Sequence, residues 1–352
     1  MQAQFKLMAH SANARSGKLL INNKELTTPA VVFTGVNTTM LTNQELQSLG
    51  TVAIKQSALR YWLNGSDVFG DLHDRLNWAG WIIGDPGCEQ AYRWAKPRGR
   101  KKDGVSFHEP ESGQQKLYKP EDARGWQDKL GCDLQTGFWR WEDYYSPVDD
   151  LQASAKHTAS WTTEKGDNTL LPIVGGGLKR VRQASAETAI KQSPLGYAIA
   201  GVDTEVKLAE QVRLVKEVVG MLPEDGLRYL PTSGSIEHVL MAMINGVDLV
   251  DSDCADEAAQ HGVAFDGTKR IHLAKEHFLE DSAILVDGCQ CPTCRSGYSR
   301  SYLHQLQSDH SPLANRLLAS HNLYVLNRLV ADLQDAIAGN RVDEFVKQHA
   351  LG

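Results

Sequence analysis

The chain has 352 residues, 41% of them hydrophobic, with 43 acidic against 37 basic side chains and a net charge of −6. That length can bury one large core or two ordinary ones, and the charge excludes attraction of a polyanion through the mean field, so nucleic-acid binding requires local basic patches. No apolar run approaches the roughly 18 residues of a membrane span, and Met1 to Lys6 lacks the charged-then-apolar order of a secretory signal; the cytoplasm is the expected compartment, with no membrane partner.

In chain order, Arg15-Ser16-Gly17-Lys18-Leu19-Leu20 reads as the start of a small hairpin. Eight short runs rich in Val, Ile and Leu follow, at residues 30–35, 52–57, 81–85, 132–136, 170–175, 197–201, 228–232 and 247–251. Unbroken apolar runs of this length, separated by segments of helical period, mark parallel strands joined by crossover helices. Residues 204–219 carry Leu208, Val212, Val215 and Val219 on one stripe, and residues 235–245 open on Ser235 as a cap and end at Gly246. Eight such repeats fit an α/β fold of the (β/α)8 TIM-barrel type better than an open doubly wound sheet. Gly175-Gly176-Gly177 is a weak phosphate-loop signal by itself.

Between the third and fourth runs, Arg93, Lys96, Arg98, Arg100, Lys101 and Lys102 gather six cations, with Pro97 and Gly99 breaking any helix. The patch is either a solvated loop or a phosphate-binding one. After the eighth run come Cys289, Cys291 and Cys294, and then Ser311-Pro312 as cap and first position of a helix that carries His321. Three thiolates and an imidazole replace the water shell of Zn2+ completely, which makes a closed structural site with no open position for chemistry. Leu326, Leu329, Val330, Leu333 and Ile337 keep helical spacing beyond it, for packing back on the barrel. The expected organisation is a catalytic barrel with its hairpin at 1–280 and an appended zinc-binding subdomain at 281–352.

In such a barrel the reacting groups sit at the C-terminal ends of strands. Asp85 ends the third run and Asp251 the eighth. Two carboxylates there suit chemistry at a glycosidic carbon, one attacking or stabilising an oxocarbenium-like centre and the other moving protons on the leaving group. The alternative for either alone is a helix cap.

Cys289-x-Cys291-x-x-Cys294, Tyr302-Leu303-His304, His321-Asn322-Leu323, Arg15-x-Gly17-x-Leu19 with Thr28-Pro29, and Gly104-Val105-x-Phe107 resemble the tRNA-guanine transglycosylases across nearly the whole chain. The resemblance implies exchange of guanine in a polynucleotide for a 7-deazaguanine base such as preQ0, by double displacement. Carried over by position, Asp251 matches the nucleophile and Asp85 the general acid/base. Gly201 and Val202 fall against the base pocket, and Cys289, Cys291, Cys294 and His321 take the zinc positions.

The departures are specific. The family's Asp-Ser-Gly-Gly-Phe-Gln is here Asp85-Pro86-Gly87-Cys88-Glu89-Gln90, which lacks the stacking aromatic, and a family glutamine falls on Gly175. After the fourth strand Trp139 or Trp141 is available for stacking and Glu142 or Asp143 as a base acceptor, with simple packing the alternative for either tryptophan. Where the tRNA enzymes carry Cys-x-x-Pro-Thr-Arg, this chain has Ser252-Asp253-Cys254-Ala255-Asp256-Glu257. Three carboxylates there are expected to repel a phosphate backbone. Arg98, Arg100 and Lys101 are the expected substitutes for contacts to the polynucleotide. This pattern looks most like the DNA 7-deazaguanine transglycosylases of phages and bacterial genomic islands, so DNA is the expected partner and tRNA the alternative. A non-catalytic partner subunit is disfavoured by the presence of both aspartates. By fold analogy the family also suggests a homodimer.

Overall fold

The computed structural model describes residues 3–65, 70–162, 166–202, 206–232 and 234–351. Eight parallel strands close into a barrel in sequential order: β1 (Ala30–Phe33), β2 (Ala53–Ser57), β3 (Trp81–Asp85), β4 (Leu134–Thr136), β5 (Thr169–Ile173), β6 (Gly196–Ile199), β7 (Leu227–Leu230) and β8 (Leu249–Ser252). The circle is completed where β8 pairs with β1, setting Asp251 beside Val32. All eight expected runs are strands, with ends displaced by no more than two residues.

Side chains alternate inward and outward along a strand. Val32, Ala53, Ile83, Leu170, Tyr229 and Leu249 meet in one buried cluster inside the barrel. Two residues further on, toward the C-terminal mouth, the same inward parity brings Lys55 on β2, Asp85 on β3 and Asp251 on β8. The apolar filling thus ends where a charged layer begins, and that layer is the barrel's chemical face.

The expected hairpin is a three-stranded antiparallel sheet, Ala3–Ser11, Ala14–Ile21 and Lys24–Thr28. Phe5, Leu19, Ile21 and Leu26 join the barrel's inner cluster, so the sheet plugs the end opposite the mouth. Arg15 fixes it there: Nε donates to Asp248 Oδ1 at 2.9 Å, Nη2 reaches Asp248 Oδ2, and Nη1 donates to the Glu224 carbonyl at 2.7 Å. A second small sheet, unanticipated, is inserted between β3 and β4 as Arg100–Lys101, Gly104–His108 and Gln115–Tyr118.

Of the expected helix at 204–219 the structure shows Leu208–Val219; Thr204 lies outside the described residues. Ser235 occupies the cap position of Ile236–Ile244, but its hydroxyl donates to Glu237 Oε2 at 2.5 Å instead of bonding the helix backbone. Ser311 does cap the long helix Pro312–Ala338, accepting from Leu313 N at 3.3 Å. Leu326, Leu329, Val330, Leu333 and Ile337 are buried on that helix, in one apolar cluster with Val31, Ile82 and Val250 of the barrel. The C-terminal helices and the barrel therefore share a core. Among the described residues, no helix is long and apolar enough to cross a membrane.

Candidate active site and metal centre

Asp251 is fully buried at the end of β8. Both carboxylate oxygens have partners: Lys55 Nζ donates to Oδ2 at 2.6 Å, and the Tyr229 hydroxyl donates to Oδ1 at 2.5 Å. Burial pushes the Asp251 carboxyl above the usual carboxylate range; the Lys55 charge and the two hydrogen bonds pull against it, and the Asp85 charge adds to it. For Lys55 burial disfavours the charge, but Asp251 and then Asp85 outweigh it and hold the ammonium above the ordinary lysine value. The Tyr229 phenol is driven far up by burial and by Asp251, so it acts as a donor. Sequence reasoning singled out neither Lys55 nor Tyr229. Strand parity is the signal for both.

Asp85 is half-buried, and its Oδ1 accepts from Gly87 N at 3.1 Å. Ser57 of β2 pairs directly with it. The turn that follows is held by the Tyr118 hydroxyl, which donates to the Pro86 carbonyl at 2.8 Å, and by Gly87 at φ 76°, where a Cβ would run into Leu59. Beside this turn opens a cleft of about 500 Å³ lined by Thr34, Asn37, Lys55, Ser57, Arg60 and Trp94, among others.

Arg182, also not anticipated, is buried and ties two loops at the mouth together. It donates to the carbonyls of Ile173 (2.8 Å), the last residue of β5, and Gly176 (2.7 Å) beyond it, and of Ala200 (3.0 Å) and Gly201 (3.2 Å) after β6. Burial lowers its pKa to about 10, which leaves it charged at neutral pH. Gly201 has left-handed backbone, φ 65°, and faces open space where a side chain would project, while Val202 is buried behind it. The loop pair thus presents backbone rather than side chains.

Beyond β4 the structure narrows the alternatives. Trp139 and Trp141 are both buried in a cluster with Tyr92, Phe138 and Val174. The Trp139 backbone N–H donates to Cys88 Sγ at 3.2 Å, and its indole N–H is buried with no partner among the described residues. The Arg93 guanidinium lies 4.9 Å over the Trp141 ring. Glu142 is buried and its carboxylate is engaged by Arg140 at 2.9 Å and by Arg100, whereas Asp143 is exposed. Two residues of the expected base-reading and phosphate-binding sets, Glu142 and Arg100, are therefore paired with each other. Lys96, Arg98, Lys101 and Lys102 are exposed, without an ion pair among the described residues.

The acidic stretch after Asp251 is less acidic to the outside than its composition suggests. Asp256 is buried and accepts from the Thr39 hydroxyl at 2.9 Å. Asp253 is half-buried at the cap of the helix Cys254–Gln260, and only Glu257 is fully exposed. Carboxylates at the cap and first turn also suit the positive end of a helix. The expected three-charge repulsion of a backbone thus reduces to two groups.

Cys289, Cys291, Cys294 and His321 bring their ligand atoms within 4.8 Å of one another. The imidazole is oriented for metal: Nε2 donates to the Phe265 carbonyl at 2.7 Å, which leaves the Nδ1 lone pair facing the sulfurs at 3.3 Å (Cys291), 3.5 Å (Cys294) and 3.8 Å (Cys289). Such a carbonyl fixes the tautomer and ring orientation of a ligating histidine. Bond lengths of about 2.3 Å to sulfur and about 2.05 Å to nitrogen give a tetrahedral S···N edge of about 3.6 Å, so the donor set and its spacing fit Zn2+. Next along the helix, the Asn322 side chain accepts from Phe265 N at 2.9 Å and donates to the carbonyls of Val263 (2.8 Å) and Ala255 (3.1 Å). The metal site is thereby stitched to the segment that leaves Asp251.

A carboxylate held at the mouth of a barrel beside a second one is equipment for substitution at a sugar carbon, and the protein is a glycosyltransferase of the pentosyl-transferring class. The family model described as queuine tRNA-ribosyltransferase matches residues 10–351. The chain is 30% identical over 360 residues to the queuine tRNA-ribosyltransferase of Tolumonas auensis, covering 97% of this chain and 96% of that one. It is 30% identical to the enzymes so named in Streptococcus agalactiae, over 94% of this chain and 91% of that one, and in Streptococcus pneumoniae, over 95% and 91%. The chain belongs to the queuine tRNA-ribosyltransferase family.

Proposed function

We propose that the protein exchanges a guanine within tRNA for a free 7-deazaguanine base such as preQ0, by two successive displacements at the same ribose carbon. The observation that carries the chemistry is the buried Asp251 carboxylate, oriented by Lys55 and Tyr229 at the mouth with Asp85 of β3 on the same rim. Asp251 attacks C1′, the C1′–N9 bond breaks, and the leaving guanine takes its electron pair and a proton from Asp85. The incoming base then returns a proton to Asp85 as its nitrogen attacks C1′ and releases Asp251. Gly201 and Val202 form one wall of the base site, and Trp139 contributes its indole N–H to the base or stacks beside it. Zn2+ takes no part in the reaction, because four protein ligands close its shell. The tRNA assignment rests on the named activity of relatives that match end to end.

A second reading, exchange of guanine in DNA, is favoured by one observation: Asp253 and Glu257 stand beyond Asp251, with no arginine in that segment. Incubation with labelled preQ0, separately with tRNA and with duplex DNA, separates the two. Label entering tRNA supports the first reading, label entering DNA alone replaces it with the second, and label in neither ends both.

A further inference from the structure

Lys55 orients Asp251, and it is the one cation in direct contact with that carboxylate among the described residues. It comes from β2, and the strand order places β1 between it and Asp251 on β8, while Asp85 stands on the adjacent β3. About a quarter of its side chain is accessible (24%), on the side of the 500 Å³ cleft, whereas the Asp251 side chain is wholly enclosed. The ammonium faces Asp251 of β8, Asp85 of β3 and, further out, Glu89 of the helix Cys88–Trp94. Asp251 in turn faces Lys55, Tyr229 of β7 and Asp85. The intervening β1, Ala-Val-Val-Phe, brings no titratable side chain. The layer therefore holds two carboxyls and one partly buried cation; Arg60, Glu109 and Glu111 line the same cleft as Lys55, and Glu89 is paired with Arg93 at 2.9 Å.

We propose that Lys55 is the fixed counter-ion for a single negative charge that passes between Asp251 and Asp85 during each half of the exchange. This rests on Asp251 being the nucleophile and Asp85 the proton carrier. Before attack Asp251 is an anion, Asp85 carries a proton and Lys55 is a cation, so the three sum to zero. Attack turns Asp251 into a neutral ester, and the guanine leaves with the Asp85 proton, so Asp85 becomes the anion beside the same ammonium. The sum is again zero. The second displacement reverses both changes. A site in which charge moves without net change avoids the cost of leaving an ion uncompensated at either stage.

The experiment has a wild-type arm and a variant arm. When wild-type protein forms the trapped polynucleotide adduct and releases guanine in weak buffer containing an indicator dye, proton uptake is expected to be zero; uptake of one proton per adduct overturns the proposal. Lys55→Met and Lys55→Gln are expected to move the acid limb of the kcat/KM profile up by about one to three pH units, because Asp251 loses the cation that opposes its burial. At pH values below the shifted limb kcat/KM is expected to fall about tenfold per pH unit. Lys55→Arg keeps the charge and is expected to keep the limb. Neutral variants with the wild-type limb, or an arginine variant that shifts as they do, overturn the proposal. Peptide mapping of the wild-type adduct separates the two failures: an adduct on a residue other than Asp251 removes the nucleophile assignment, whereas an adduct on Asp251 with unaltered Lys55 profiles removes only the counter-ion.

Discussion

Stripping the metal is expected to unfold one part of this molecule before the rest, and the structure says which. Binding of Zn2+ at closed thiolate and imidazole sites is worth about 10–16 kcal/mol near neutral pH, as much as the whole stability of an ordinary domain. The elements that depend on it cannot stand alone. Pro292–Arg295 is a four-residue helix and Arg300–Ser308 a nine-residue one, below the roughly 12–15 residues that hold a helix in isolation. Cys291 and Cys294 are buried with Leu303 and Leu318 in the apolar cluster, so without metal the thiol loop must rely on that packing alone. The damage travels through His321 Nε2 to Phe265 and through Asn322 to Ala255, four residues past Asp251. A chelator titration followed by hydrogen–deuterium exchange, with zinc counted by atomic emission, tests this. Loss of zinc is expected to release peptides across 289–308 first and 254–266 next, while β1 to β6 stay protected. Activity is expected to fall with the second group and to return when zinc is restored. A metal-free chain whose 289–308 peptides stay protected would refute the reasoning.

Asp251→Ala is expected to abolish exchange and any denaturation-resistant polynucleotide adduct, and a mutant that still forms the adduct would sink the nucleophile. Asp85→Asn is expected to lower kcat with little change in polymer binding, read as separate kcat and Kd measurements. Joint Arg98→Ala and Lys101→Ala substitution is expected to flatten the log Kd against log salt slope by about 0.7–0.9 for each phosphate no longer neutralised, and an unaltered slope would count against the loop. Arg100→Ala is expected to act differently, lowering the urea midpoint, because it takes a partner from the buried Glu142 carboxylate. Asn322→Ala removes three buried hydrogen bonds and is expected to cost about 3 kcal/mol or more in urea unfolding; a loss below about 1 kcal/mol would mean the freed backbone groups find other partners.

The barrel was legible because strands covered on both faces need no polar alternation, so Leu170-Leu171 and Val247 to Val250 stand out as unbroken apolar runs. The metal ligands were legible because three cysteines within six residues are a local signal. The inserted sheet was not: Arg100–Lys101 has two residues and Gln115–Tyr118 is mostly polar, and they are ordered by tertiary packing, with Trp62 4.8 Å from Tyr118 and Trp94 5.4 Å from Phe107. Glu142 read as a base acceptor because only one of its two arginines, Arg140, is near in sequence; the other arrives from 42 residues away. Lys55 was hidden by its neighbours, since Lys-Gln-Ser reads as the polar end of a strand until parity with Ala53 turns the lysine inward.

The acidic stretch yields to the same kind of reasoning. Asp253, Asp256 and Glu257 fall at the cap and first turn of a short helix, where local electrostatics favour carboxylates whatever polymer binds. With Asp256 turned toward Thr39, a nucleic-acid backbone would meet two carboxylates beyond β8 and four exposed cations beyond β3. An unequal pair of rims orients a phosphate chain rather than repelling it, and tRNA and DNA carry the same phosphates. Discrimination between them therefore belongs to groups that read the sugar and the splayed base.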